Sequence, residues 1–366
     1  MSTAYQVFSW LSYIIGLFSF VFAIYVIPSN YWLEENFKSG LIVTSTQAGL
    51  WKWCSYKVLT ELSCDSLTKL DSRFRAPQAL CVLGALVINL VAIAIGIFSN
   101  LSNDIRLKNW KIKVGVVLLY LIASLFTIVG ILDYLKLFLS RQIDSHFHLS
   151  ISIGYSFIFM VCAGFLTGLC AVLYGITVGY NFEKKEINRL VSVLMMAAGT
   201  FAVITAFISV ISPIWLKYVS STTGEVSTAS LWEYCVKNRA TGERKCSKIV
   251  DVLLNGQKFR SVQNLAIASL VFLILSVFMS ILTNFIFKQK LIIRVIVLCG
   301  LVTSGLLICA TFFQYLIVLF HTTPEKTPQL QSDYGLSIMI FMATASGVAG
   351  VIQSIVLGCQ MASASI

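Results

Sequence analysis

Ten cysteines are spread along the chain, and four of them, Cys54, Cys64, Cys235 and Cys246, fall in polar stretches between long apolar runs. Two thiols spaced like Cys54/Cys64 or Cys235/Cys246 can close a disulfide, join a metal site or stay free. Closing a ring of about ten residues in an oxidising compartment is worth on the order of 2–3 kcal/mol. Zinc would need further ligands, and no His or other Cys lies near either pair at metal-ligand spacing. Cys81, Cys162, Cys170, Cys299 and Cys309 lie inside apolar runs and are expected to pack. Cys359, at the end of the last run, is a candidate for palmitoylation. His146 and His148 alternate as a metal- or pH-sensing pair on a strand would, but no third His or carboxylate is fixed beside them. Asp133 lies about one turn from Lys136, which favours local pairing over a proton relay. No nucleophile–base pair, phosphate loop or metal-hydrolase spacing appears, so neither an enzyme nor a cofactor is expected.

The elements that position these residues follow from composition. Hydrophobic residues make up 57% of the 366, charged residues only 12%, and mean hydropathy is +0.84. Globular domains carry roughly 25% charged residues, so a soluble fold is excluded. The net charge of +11 comes from basic residues scattered among short loops, not clustered as nucleic-acid binding requires. Windows of about 20 apolar residues, enough to cross a hydrocarbon core, give eight spans. They lie near 7–27, 78–98, 114–136, 152–176, 191–213, 262–286, 293–320 and 336–359. Helices are expected throughout, because only a helix satisfies its own backbone polar groups in lipid. The first span lacks a basic leader and a small-residue cleavage site, so it reads as a retained anchor. Segments 99–113, 177–190 and 287–294 hold ten of the 27 Lys and Arg, which places them, and both termini, in the cytoplasm. The long loops 28–77 and 214–261 then face outward.

The chain also repeats. Trp32 is matched by Trp215, Leu50-Trp51 by Leu231-Trp232, Cys54 by Cys235 and Cys64 by Cys246, at offsets of 181 to 183 residues. Phe74-Arg75-x-x-Gln78-x-Leu80 recurs as Phe259-Arg260-x-x-Gln263-x-Leu265, and Asp133-Tyr134 as Gln314-Tyr315. The expected organisation is a four-helix unit over 1–180, a charged cytoplasmic linker over 181–190, and a second four-helix unit over 191–366. Four is an even number, so the copies are parallel repeats and both long loops decorate one face. Leu41 to Thr44, Trp215 to Val219 and Glu225 to Cys235 are β-prone, with Thr222-Thr223-Gly224 as a turn. Each long loop is therefore expected to form a small antiparallel sheet over an all-α membrane bundle.

Trp32, Gly49-Leu50-Trp51, Cys54 and Cys64, followed by Arg75, resemble the W…GLW…C…C signature of the claudin and peripheral-myelin-protein superfamily. Gly154-Tyr155-Ser156-Phe157, before the fourth span, is similar to the myelin-protein and calcium-channel gamma-subunit branches. The resemblance implies a four-helix bundle under an extracellular sheet, with a disulfide between the two loop cysteines. The second unit keeps Trp215, Leu231, Trp232, Cys235, Cys246 and Arg260, but has Ser230 where the Gly would stand. Claudins are single units, so a tandem chain departs from the family.

The family implies either of two tasks: an adhesive barrier or paracellular pore at cell–cell junctions, or an auxiliary subunit that binds and modulates an ion channel or receptor. Partners are then membrane lipids and other membrane proteins, including further copies of the chain, at the plasma membrane. Asp65 directly follows the second cysteine, where the resemblance to cation-selective claudins places an acid, while the second unit has Ser247-Lys248. Asp65 and Lys248 are the candidate ion-selectivity residues. The first long loop carries net charge +1 and the second +4. Trp51, Trp53 and Trp232 suggest an exposed aromatic face for contacts. Gly164-x-x-x-Gly168 and Gly175-x-x-x-Gly179 are expected to pack the bundle. The sequon at Asn100 falls on the cytoplasmic side and is expected to stay unglycosylated. Asn89, Gln314 and Gln353 are thin support for a transport site. The tail Ala364-Ser365-Ile366 lacks the residue that a scaffold ligand would want.

Overall fold

The computed structural model describes residues 3–39, 42–56, 63–101, 110–142, 149–179, 185–212, 215–219, 226–237, 241–252, 256–285, 291–322, 329–332 and 347–359. They divide into two compact units. The first comprises Met1–Leu137, Phe147–Asn188 and Ser354–Ile366, and the second Phe138–His146 and Arg189–Gln353. The division falls near residue 188, close to the expected linker. Residues 354–359, assigned by sequence to the second repeat, group with the first unit.

The first unit opens with α1 (Thr3–Val26), which stops two residues before Pro28 because the residue preceding a proline is pushed out of helical conformation. Four strands follow: β1 (Leu33–Ser39), β2 (Ile42–Ala48), β3 (Lys52–Tyr56) and β4 (Ser63–Ser66). The one-turn helix α2 (Leu67–Leu70) leads to α3 (Arg75–Val82), whose Pro77 lies in the first turn, where a missing N–H costs nothing. A wider, π-helical stretch at Leu83–Ile88 joins α3 to α4 (Asn89–Leu101). The hydropathy pattern contains no sign of it. The Asn89 side chain donates to the carbonyls of Ala85 and, on α1, Gly16, while Gly84 lies against the backbone of Ala123 and Thr127. Then come α5 (Trp110–Gln142), β5 (Leu149–Ile153) and α6 (Tyr155–Gly179).

The second unit repeats this order. Its elements are α7 (Lys185–Ile211), β6 (Leu216–Val219), β7 (Val226–Ala229), β8 (Glu233–Lys237), β9 (Arg244–Lys248), α8 (Ile249–Val252), α9 (Gly256–Phe285), α10 (Leu291–Thr322), β10 (Gln329–Ser332) and the start of the helix Gly347–Cys359, here α11, whose residues from Ser354 group with the first unit. Among the described residues, six helical segments are long and apolar enough to cross a membrane: Gln6–Val26, Ser72–Leu101, Trp110–Leu135, Tyr155–Gly179, Phe259–Thr283 and Ile292–Thr311. At the expected fifth and eighth spans the described residues hold shorter apolar helices, Met196–Ile211 and Gly347–Cys359.

Among the described residues each sheet has five antiparallel strands, ordered β4-β3-β2-β1-β5 in one and β10-β6-β7-β8-β9 in the other. This corrects two expectations. A strand from the connection before the last helix of each unit joins the sheet: β5 pairs with β1 from Leu33↔Ile153 to Phe37↔Leu149, and β10 pairs with β6 from Gln329↔Val219 to Ser332↔Leu216. The apolar run at 152–154 is therefore strand and connection, and the helix begins at Tyr155. The charged segment 181–190 is likewise not all linker, since α7 starts at Lys185.

Side chains interlock the helices of each unit. Gly164 and Gly168 let α5 close in, with Ile128 and Thr127 against the first, Ser124 against the second, and the Ser124 hydroxyl donating to the Gly164 carbonyl at 2.8 Å. Ser19 of α1 hydrogen-bonds Ala163 and Thr167 of α6, each at 2.8 Å. Gly179 and Gly358 bring backbones together, Gly179 against Ile355 and Cys359, and Gly358 against Ile176. In the second unit small Ala202, Ala206 and Ala349 face Leu273, Val277, Val297, Leu301 and Ile308 across a buried core. Small residues opposite branched ones are what helix association needs where no hydrophobic drive exists between helices.

Candidate functional site

A small sheet has little core of its own, so its position depends on what pins it to the bundle. In the first unit the pin is Trp32, fully buried just past α1. Its indole N–H donates to the Val26 carbonyl at 2.8 Å, capping an open helix end. Its backbone N–H reaches Ala48 at 3.0 Å, at the end of β2. Tyr134 of α5 packs edge-on against Trp32 at 5.2 Å between ring centroids and against Phe74 at 5.7 Å. Its hydroxyl donates to the Gly49 carbonyl at 2.9 Å. Gln78 donates to Leu50 at 2.7 Å. The signature residues Trp32, Gly49 and Leu50 thus meet the repeated residues Phe74, Gln78 and Tyr134 in one buried lock.

The second unit builds the same lock. The Trp215 indole donates to Ser209 at 2.9 Å and its backbone N–H to Ala229 at 2.8 Å. Tyr315 lies 4.7 Å from Trp215 and 5.6 Å from Phe259, and Gln263 donates to Leu231 at 2.8 Å. Leu67 and Ile249, which open the one-turn helices, donate from their backbones to Trp51 and Trp232.

The copies differ at one turn. A Cβ on Gly49 would collide with the Ser29 carbonyl and come within 2.7 Å of the Asn30 Cα. Ser230 occupies the matching place and uses its hydroxyl, which accepts from the N–H of Trp232 at 3.1 Å and of Glu233 at 2.8 Å. The Tyr315 hydroxyl, unlike that of Tyr134, is buried without a hydrogen-bond partner among the described residues. Tyr134→Phe is therefore expected to cost about 1 kcal/mol and Tyr315→Phe under about 0.5 kcal/mol, read as shifts in thermal unfolding of the purified protein.

Cys54 and Cys64 sit directly opposite each other on β3 and β4 and are bonded, as are Cys235 and Cys246 on β8 and β9, with Cα atoms 4.0 Å apart in both pairs. Glu233, Cys235 and Cys246 lie together as a metal site would require, but the two sulfurs are bonded to each other and offer no thiolate. Replacing Cys64 or Cys246 by Ser is expected to cost about 2–3 kcal/mol, checked by comparing thermal midpoints of wild type and variant under non-reducing conditions.

The remaining sequence candidates are placed as follows. Asp65 is exposed on β4 across from Trp53, and Lys248 is exposed on β9 across from Glu233. Each lies on an edge strand of its own sheet, but Lys248 is on the disulfide side of its hairpin and Asp65 on the side away from the disulfide of its own. Arg75 and Arg260 are exposed near the starts of α3 and α9. Trp51 is 40% exposed, whereas Trp232, at 37%, is tied by its indole to Val210 at 2.7 Å, so the expected aromatic face is narrower than the sequence suggests. Cys359 is only 2% exposed, and its backbone nitrogen would lie 2.7 Å from a Cβ on Gly179. An acyl chain would reach this thiol only if the helix end unpacked. His146, His148 and the tail 360–366 lie outside the described residues.

Gly154-Tyr155-Ser156-Phe157 is part of the lock. Gly154 fits against the Tyr31 carbonyl and donates its N–H to Trp32 at 2.9 Å. Tyr155 stacks on Tyr31, the Ser156 hydroxyl meets Ser29 at 2.8 Å, and Phe157 meets Trp32 edge-on. The alternating Leu149-Ser150-Ile151-Ser152-Ile153 was the available signal for β5, and an apolar window absorbed part of it into a span.

No curated protein matches the chain. Residues 188–359, which carry the second disulfide, its sheet and its lock, match the model of the PMP-22/EMP/MP20/Claudin family, and this match supports reading the chain as a claudin-superfamily membrane protein.

Proposed function

We propose that the chain is a tandem duplication of a claudin-like unit, with eight membrane spans, both termini in the cytoplasm and both sheets outside the cell. Its role is non-enzymatic: an adhesive barrier or paracellular pore at cell–cell contacts, formed through the sheets. The observation that carries this reading is the pair of matching locks. Trp32 with Tyr134, and Trp215 with Tyr315, hold a disulfide-pinned sheet on its own helix ends in each unit. Such a sheet presents fixed charges at a fixed height, which adhesion and ion selection both need. The disulfides support an oxidising, outer side for the sheets.

In this reading Asp65 favours cations in a narrow passage and Lys248 favours anions. Expressed in epithelial cells that lack junctional strands, the protein is expected to concentrate at contacts and change transepithelial conductance, and Asp65→Lys to shift permeability toward anions. Absence of both enrichment and conductance change would refute the junctional role. Recovery of a stoichiometric channel or receptor in mild detergent would favour the auxiliary-subunit reading instead.

A further inference from the structure

The hairpin β8–β9 carries cations in an unusual register. Lys237 stands directly opposite Arg244, and Glu233 opposite Lys248, with the disulfide between these two rungs. Residues directly opposite each other share a face, as do those two apart on one strand. Lys237, Arg244 and Lys248 therefore lie on the disulfide side of the hairpin against a single acid, Glu233. All four are exposed. Lys245 projects to the other side and has its own carboxylate, Glu243, at 3.7 Å. Lys237, Arg244 and Lys248 make no ion pair among the described residues, and the Arg244 guanidinium is held over the disulfide by a contact to the Cys235 sulfur at 3.4 Å. Like charges directly opposite each other on a strand pair destabilise it, so a register that joins Lys237 to Arg244 works against the fold unless an anion sits between them.

We propose that this face binds an extracellular sulfated polysaccharide. Two cations on opposite strands, with side-chain roots about 5 Å apart, suit one sulfate group, and Lys248, about 13 Å further along β9, suits another on the same chain. The cations run across two strands on the sheet face and not along its outer edge, so a peptide strand added to the β9 edge would not meet them together. Every residue of β9 is exposed, so the strand itself holds no buried apolar position against which a polypeptide could seat an anchor side chain. A hydrated polyanion needs no such pocket. The described residues of the first sheet show no equivalent: at the register of Glu233 and Lys248 it carries Lys52 opposite Ser66.

The proposal rests on the outward placement of the sheets, which is tested separately by labelling lysines of intact cells with a membrane-impermeant reagent. The binding test uses purified full-length protein in lipid nanodiscs and immobilised heparin. Lys237→Ser combined with Arg244→Ser is expected to weaken heparin binding about tenfold and to flatten its salt dependence, while Lys237→Arg keeps it. A control that removes equal charge from the first unit, Lys52→Ser with Lys69→Ser, is expected to stay within twofold of wild type. Non-reducing electrophoresis verifies the second disulfide, and Lys248→Ser alone gives a milder loss should the double variant fail to fold. No heparin binding by the wild type, or equal loss in both double variants, overturns the site. Polyglutamate bound as tightly as heparin overturns the polysaccharide and indicates an acidic protein partner.

Discussion

Trp32→Ala is expected to destabilise the protein by about 3–5 kcal/mol, the range for removing a fully buried large aromatic. Three losses coincide. The cavity would open between Tyr134 and Phe157, which pack on two sides of the indole. The Val26 carbonyl at the end of α1 would lose the shorter of its two donors, keeping the Ser29 N–H at 3.2 Å, in a region screened from water. The sheet would also lose its main attachment to α1, because Trp32 links Val26 to Ala48 across one residue. Trp215→Ala is expected to produce a loss of similar size in the second unit, where the indole hydrogen bond and the tyrosine contact recur. Thermal unfolding in detergent, followed by tryptophan fluorescence, checks both. A loss below about 1 kcal/mol in either variant would show that the sheet is held by something other than its lock.

Gly49→Val is expected to be at least as damaging to the first sheet, costing about 3 kcal/mol or more, because the atoms in the way are backbone and cannot rotate aside. Moving the turn away from Ser29 and Asn30 would also draw the Gly49 carbonyl from Tyr134 and displace Leu50 from Gln78. The matched experiment is Ser230→Gly, which removes a hydroxyl that accepts two turn N–H groups and should cost only about 1 kcal/mol. The same position in the two repeats thus calls for opposite residues. Comparing Gly49→Ser with Ser230→Gly by thermal midpoint and by the fraction of oxidised Cys54–Cys64 and Cys235–Cys246 separates this account from a general intolerance of change in the turn.

The apolar runs were legible because lipid leaves no alternative to a helix, so Leu, Ile, Val and Phe in windows of about 20 residues determine the long spans. The two cysteine pairs and the repeat were legible for a different reason: Trp32, Leu50, Cys54 and Cys64 recur at nearly constant offsets, and a repeat of spacing survives even where Gly49 becomes Ser230. Other features depend on contacts between segments far apart in sequence. The fifth strand of each sheet comes from a loop that a hydropathy window cannot separate from the helix after it, and only pairing with Leu33 to Phe37 makes Leu149 to Ile153 a strand. Cys359 lies at a helix end outside both disulfides, and only the packing of that end against Gly179 shows that it is buried.

The sequence by itself determined the membrane character, from residue type within windows of about 20 residues, and the recurrence of Trp, Leu and Cys landmarks, from a nearly constant offset, while the disulfide pairing was what the family resemblance implied. The tertiary structure alone decided what the repeated residues are for. Trp32, Phe74, Gln78 and Tyr134 lie up to 102 residues apart, and their meeting to pin one sheet depends on how four helices bring their ends together. Strand register also decided that Lys237 faces Arg244, since a shift of one residue would have moved one of the two cations to the opposite face.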